Sequence, residues 1–570
     1  VTCPPVPGAG ADLDAATADL VAGLGRHPGG RVSPSVYETA RLVSLAPWLT
    51  GHRERLAYLR AGQRADGTWG GPAGYALVPT LSAVEALLAV LCRADPGVGR
   101  GWLRAAVDRA LRVVPGLLAG HGDPGRPDLP AADLTVPALV ESVNRWLAGP
   151  YGAGDRWPVT RLTLPPGADA TRLVAVRRSV AAGRGAPRKL LHAWETLGGA
   201  AVGAPGVSPE PPGCVGASPA ATAAWLGGPG RDGAARAYLE GAAGEHGGPV
   251  PCTTPITVFE RAWVLSGLVR VGAPVTVAPE LVAGLRAAFG PDGVPAAPGL
   301  PADADTTAVA AHALALLGSP VDPGCLLDYD LGGHFCTWPG EDGTSVTTNA
   351  HVLDALGQHV RAGPAGSPYA PAVRSVTAWL VSRQEPDGGW SDRWHASPYY
   401  ATACCVLALS RYGHGPEVAA AVGRAVDWTV ATQRPDGSWG RWYGTAEESA
   451  YAVHVLLATG RPWRPGVAAA LSRATAWLGS AAGRATGPAL WHDKDLYRPD
   501  AIVGAARIAA AHLIRRATSA IVYMGRSVRA EADPARLSAT EDTASVRRGR
   551  APAGPPVAST SDRAARPGTV

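Results

Sequence analysis

Apolar positions recur at helical spacing in many segments of about 10 to 18 residues. The pattern predicts helices over Leu81–Cys92, Ala308–Leu317, Ala372–Val381, Thr402–Tyr412 and Ser449–Leu457. Gly/Pro clusters separate these segments, and no long apolar/polar alternation of the β kind interrupts them. The chain reads as all-α, assembled from helical hairpins.

A short unit recurs between the helices. Gln63, Asp66, Gly67 and Trp69 share their spacing with Gln384, Asp387, Gly388 and Trp390, and with Gln433, Asp436, Gly437 and Trp439. Each copy follows one predicted helix and precedes another, which implies repeated helical pairs stacked or closed into a ring. Asp-Gly favours a tight turn, the Gln amide can cap a helix end, and the indole can pack across the junction. These residues therefore speak for architecture.

The length of 570 residues suggests two to four domains. Hydrophobic residues make up 46% and charged residues 17%, enough apolar material for large cores. A net charge of +5 over this length gives no reason to expect nucleic-acid binding. No apolar run reaches transmembrane length and no signal peptide is apparent, so a cytoplasmic protein is expected. The 8 cysteines lack any C-x-x-C pair and read as free thiols. From about Gly525 the chain turns rich in Ala, Arg, Ser and Pro, and a disordered tail over 525–570 is expected.

The three repeats resemble the QW motifs of triterpene and diterpene cyclases. Further landmarks follow in the order found in class II diterpene cyclases: Ser33 to Ala40, Leu190 to Glu195, Ser218 to Ala223, Val258 to Trp263, and Lys494 to Arg498. Together they span about residues 33 to 510, and the ordered set is specific where each member is weak. The resemblance implies a class II terpene cyclase with a double α-barrel (γβ) fold. It implies a first β-domain helix within 1–28, a γ domain over 29–268 and a β domain over 269–524, with the active site between the two domains.

Class II cyclases carry D-x-D-D-T-A, and this chain has Asp303, Ala304, Asp305, Thr306, Thr307 and Ala308 at the matching stretch. By that resemblance Asp305 is the general acid and Asp303 its support. Protonating an alkene needs a strong acid that is nevertheless held neutral, which desolvation and a neighbouring carboxylate can provide. Thr306 departs from the pattern, and the D-x-D-T-T variant resembles that of bacterial drimenyl diphosphate synthases. The expected reaction is therefore cyclisation of farnesyl diphosphate to a bicyclic drimenyl diphosphate. The alternative is cyclisation of geranylgeranyl diphosphate to a labdane-type diphosphate. Read without the resemblance, Asp303 and Asp305 would cap the helix that follows.

Ser345 and Asn349 lie four residues apart, on one helix face if helical. The resemblance makes them hydrogen-bond partners of the acid. It likewise makes His192 part of the group that removes the final proton, although Cys252 stands where the family has Asn. Arg172, Arg177, Arg178, Lys494 and Arg498 are candidate diphosphate ligands. Trp263, Trp338, Trp394, Tyr399, Tyr400, Tyr443 and Tyr451 are candidate lining, able to stabilise cations through their π faces. Mg²⁺ is the implied cofactor, with Asp133 and Glu141 as its candidate ligands.

There is no D-D-x-x-D cluster of the kind that ionises a diphosphate in class I terpene synthases. The product should keep its diphosphate, to be removed by a separate phosphatase. A prenyltransferase β-subunit would need Asp/Cys/His zinc ligands. A toroid glycosidase would need carboxylates further apart than Asp303 and Asp305. A non-catalytic helical binder would need no acid motif. Oligomeric state is left open.

Overall fold

The structure is a computed structural model that describes residues 10–531 except 73, 96, 121–126, 128, 150–156, 166–167, 342, 364–365 and 461–463. It divides into two compact units, Val1–Ala517 and Thr518–Val570, and everything below concerns the first. The tail expected from 525 begins inside the helix Asp500–Glu531, which runs past the change in composition. The rest of that tail, 532–570, lies outside the described residues.

Helices dominate, and their burial sorts them into two kinds. Leu77–Arg93 is buried at every position from Leu77 to Leu91. Ala304–Leu316, Val346–Ala362, Pro398–Tyr412 and Ala446–Leu457 are buried almost as completely. Arg100–Ala119 instead buries Leu103, Ala106, Val107, Ala110, Leu111, Val114 and Leu118, a single stripe at helical spacing. Helices buried all round form the inner wall and one-sided helices the outer wall, the double α-barrel arrangement. Among the described residues the β-structure consists of isolated bridges and two hairpins with two-residue strands, Val294–Pro295 with Ala302–Asp303 and Trp491–His492 with Leu496–Tyr497.

The core falls into three apolar clusters. The largest unites Leu13, Val21 and Leu24 of the first helix with residues from Cys252 to Ala510. The other two are built almost wholly from residues between Tyr37 and Val250. No helix among the described residues is long and apolar enough to cross a membrane.

The Gln/Trp repeats explain how the two walls join. Gln63 Nε2 donates to the Gly67 carbonyl at 3.0 Å and to the Ala106 carbonyl on the outer helix at 2.9 Å. Gln384 repeats this with Gly388 and Ala421, both at 2.8 Å. Gln433 does so with Gly437 and Ala470, both at 2.9 Å. The indoles of Trp69, Trp390 and Trp439 donate to the carbonyls of Leu59, Leu380 and Thr429 on the preceding helix. At each turn glycine has positive φ, and a Cβ on Gly437 would lie 2.7 Å from the Arg473 carbonyl. Arg109, Arg424 and Arg473 donate to the three Gln side-chain oxygens, a fifth member of the unit that sits about 40 residues downstream.

The ordered landmarks also gather in space. The Lys494 ammonium is fully buried and pairs with Glu38 and with Glu195 Oε1 at 3.0 Å. It also donates to Ser218 Oγ at 2.9 Å and the His192 carbonyl at 2.8 Å. Tyr37 donates to Glu195 Oε1 at 2.6 Å. Asp495 accepts from the amides of Val36 and Tyr37. Four of the landmark segments thus close one sealed polar knot. Burial opposes the charge on Lys494, and the Glu195 and Glu38 carboxylates outweigh it and raise its pKa.

Candidate active site

A cavity of about 470 Å³ opens beside this knot. Asp303, Asp305, Thr306 and Thr347 line one side, and His192 and Asp493 also reach it. Phe259, Trp338, Trp394, Tyr400, Trp491 and Tyr497 supply an aromatic lining. Arg172, Lys189 and Arg393 bring positive charge to it.

The acid motif begins the helix Ala304–Leu316. Asp303 is the N-cap, its Oδ1 accepting from the Thr306 amide at 2.6 Å. Its Oδ2 is buried and has no hydrogen-bond partner. Burial raises the Asp303 pKa to about 8 against the opposing bonds from Thr306, so the group is neutral at pH 7 and Oδ2 is where its proton belongs. The capping role read from sequence thus holds for Asp303 and does not extend to Asp305.

Asp305 Oδ1 lies 2.6 Å from His351 Nδ1. Burial alone would keep His351 neutral, but the Asp305 charge outweighs it and raises the imidazole pKa well above its usual value. A donor held on Oδ1 favours the carboxylate form of an aspartic acid and so makes it a better proton donor. Trp263 packs edge-on to His351 at 5.3 Å between centroids and donates to the Tyr400 hydroxyl at 2.9 Å.

His351, not Ser345 or Asn349, is therefore the acid's partner. Ser345 caps Val346–Ala362 through the Thr348 amide and donates to Asp392 at 2.9 Å. Asn349 accepts from the Phe335 amide at 2.8 Å and donates to the Phe335 carbonyl at 2.9 Å. The four-residue spacing is the right signal, applied two residues too early. His351 meets Asp305 and Thr347 lines the cavity, whereas Ser345 precedes the helix as its N-cap and shares Asp392 with Thr347, and Asn349, about 200° around the helix from His351, bonds the Phe335 backbone.

Other expectations need correction. Lys494 belongs to the sealed knot and Arg498 pairs with Asp500 at 2.7 Å, so neither reaches the cavity. Arg177 bonds Glu141 at 2.6 Å and lines a separate cavity, and Arg178 is exposed. Arg172 does reach the cavity, where it pairs with Asp133 at 2.6 Å. Among the aromatics, Trp338, Trp394 and Tyr400 line it. Trp263 and Tyr451 stand behind it, Tyr399 packs on Trp428, and Tyr443 is 53% exposed.

Asp133 and Glu141 do not fit a shared Mg²⁺ site. Eight residues apart on the helix Ala132–Leu147, they are separated by about 12 Å of rise. Each is paired with arginine, and they face different cavities. No group of three or more His, Cys, Asp or Glu able to hold a metal occurs among the described residues.

His192 is in the cavity wall, but its partner is Asp493 at 2.8 Å. Cys252 is buried and hydrogen-bonds the same carboxylate. Sequence reasoning missed His351, Asp493, Lys189 and Arg393. Asp493 directly precedes the highlighted Lys494, and its position in a tight hairpin aims the two side chains apart.

Two aspartates lining an aromatic cavity in a helical double barrel have the features a protonating cyclase of the terpene type requires. Comparison with known proteins bears this out. Residues 341–467 match the squalene-hopene cyclase C-terminal domain. An ent-copalyl diphosphate synthase of Streptomyces sp. (strain KO-3988) is 44% identical over 498 residues, covering 87% of this chain and 95% of that protein. A labda-7,13-dienyl diphosphate synthase of Streptomyces clavuligerus is 44% identical over 526 residues, covering 88% and 92%. The solved ent-copalyl diphosphate synthase of Streptomyces platensis superposes with a TM-score of 0.82 at 44% identity, covering 88% of this chain and 99% of that one. The chain belongs to the class II terpene cyclase family.

Proposed function

We propose that this enzyme cyclises geranylgeranyl diphosphate to a bicyclic labdane-type diphosphate of the copalyl kind. Asp305 donates its proton to the terminal alkene. The tertiary cation that results is attacked by the next double bond, and a second attack closes the second ring. Loss of a proton from carbon then restores a neutral alkene. The aromatic lining stabilises the moving charge without offering a nucleophile. Arg172, Lys189 and Arg393 orient the diphosphate, which stays attached and awaits a separate phosphatase.

The observation that carries this reading is Asp305 in the cavity wall with His351 bonded behind it. The choice of a C20 substrate rests on relatives at 44% identity named for copalyl and labdadienyl diphosphates. It displaces the farnesyl substrate expected from Thr306. The backbone amide of that residue bonds Asp303, a contact any non-proline residue there would make, and its side chain lines the cavity. The test is kcat/KM for farnesyl and geranylgeranyl diphosphates measured separately. A preference for the C20 substrate supports the reading, and a preference for the C15 substrate overturns it.

A further inference from the structure

We propose that Asp493, not His192, accepts the proton that ends the reaction. The proposal rests on the protonation-initiated cyclisation above, which leaves a carbocation that must lose a proton.

The hydrogen bonds of His192 leave its ring no free lone pair. Nδ1 lies 2.7 Å from the Gly216 carbonyl, which can only accept, so Nδ1 carries hydrogen. Gly216 permits this approach: its φ is +55°, and a Cβ there would lie 2.5 Å from the His192 amide nitrogen. Nε2 lies 2.8 Å from Asp493 Oδ1, so a single proton occupies that bond. Burial disfavours the imidazolium, but the Asp493 charge outweighs it and raises the His192 pKa. With both ring nitrogens committed to these bonds, the ring has no lone pair to offer a substrate and serves as a donor to Asp493.

Asp493 has the opposite character. Its Oδ1 takes the imidazole and the Lys494 amide, the latter at 2.7 Å. Among the described residues its Oδ2 receives no nitrogen or hydroxyl donor. The Cys252 thiol, a weak donor, bonds this carboxylate. Burial opposes its charge, and His192 and Lys494 outweigh that and keep it ionised. The side chain lines the same cavity as Asp305. Tyr497 lines that cavity as well, so acid and base face one bound substrate.

The step balances. The C–H bond beside the cationic carbon breaks, its electron pair becomes the new C=C bond, and the proton goes to Asp493. Over the reaction one proton leaves Asp305 and one arrives on Asp493, with no redox change. A carboxylate that accepts from this ring is a weak base, and a carbocation is acid enough to need no stronger one. The sealed knot has a part here: Lys494 Nζ holds the His192 carbonyl while its amide holds Asp493.

The test compares Asp493→Asn with His192→Gln, reading products by mass spectrometry after phosphatase treatment. Asp493→Asn should still consume substrate and still form rings. Its ratio of deprotonated alkene to water-captured alcohol should fall about 100-fold, the low end of a general base's contribution. His192→Gln should turn over more slowly, because Gln brings no charge to Asp493, but Gln can still donate to Asp493 and the deprotonated alkene should remain its main product. An unchanged alkene in Asp493→Asn, or a His192→Gln variant diverted to alcohol, overturns the assignment. The His192→Gln result decides the matter alone if Asp493→Asn does not fold. Failure of the wild type to form any ring would instead sink the cyclisation reading.

Discussion

Two clusters of buried charge sit side by side and do different things. Around Lys494, Glu38 and Glu195, nearly every donor finds a partner and none of the three side chains reaches the cavity. Around Asp305, the carboxylate bonds His351 on one side and lines the cavity on the other. Both are carboxylate–cation clusters, and both coincide with the most recognisable stretches of sequence. The difference is the open face on the aromatic cavity: among the described residues the knot leaves only Glu195 Oε2 without a partner, and that oxygen is buried away from this cavity. A charge cluster closed on itself holds elements together, whereas one with an unpaired side toward a cavity can exchange a proton with what enters.

The largest effect should come from the open cluster. Asp305→Asn should lower kcat by about 10³-fold, within the range for a general acid, and leave thermal unfolding unchanged. Steady-state kinetics and a melting curve on the same sample check both halves. Lys494→Met should do the reverse. It strands Glu38 and Glu195 without their cation, a loss of about 3–5 kcal/mol, and should appear as a lower melting temperature. Were Lys494→Met to melt like wild type, the knot would not be structural.

His351→Phe keeps the packing against Trp263 and removes the donor to Asp305. It should lower kcat by about 100-fold with KM little changed. His351→Gln, which can still donate, should recover part of that loss. Equal losses in both would mean that the ring only fills space.

The smallest effect concerns Asp303. Its pKa is raised from about 4 in the unfolded chain to about 8 in the fold. The neutral form's contribution to stability is therefore present below about pH 4 and lost as pH rises through about 8. Above that pH a negative charge on Asp303 stands beside Asp305 and opposes the loss of its proton, so kcat should fall on the alkaline side. Asp303→Asn, which keeps the cap and cannot ionise, should flatten both the melting-temperature slope and the alkaline fall. A wild-type profile that stays level to pH 9 would contradict a neutral Asp303.

The fold was legible because it is written locally. Gln, Asp, Gly and Trp at fixed spacing each satisfy a backbone group within one turn, and periodic burial marks inner and outer helices. The Arg of each unit was hidden because its contact spans about 40 residues. The acid was legible from its motif, but its surroundings were not. Ser345 and Asn349 obey the same four-residue rule as Thr347 and His351, and only the packing of Val346–Ala362 against Ala304–Leu316 decides which face meets the acid. Lys494 and Asp493 are neighbours in sequence, yet the three-residue turn of their hairpin sends one into the knot and the other to the cavity.

The most direct test of protonation by Asp305 is to run the reaction on geranylgeranyl diphosphate in deuterated water, with wild type and Asp305→Asn in parallel. The account predicts a bicyclic C20 diphosphate carrying one deuterium in the first ring, freed as its alcohol only by phosphatase, and linear material from the variant. A cyclic product without deuterium, a hydrocarbon released without phosphatase, or rings from Asp305→Asn would contradict it.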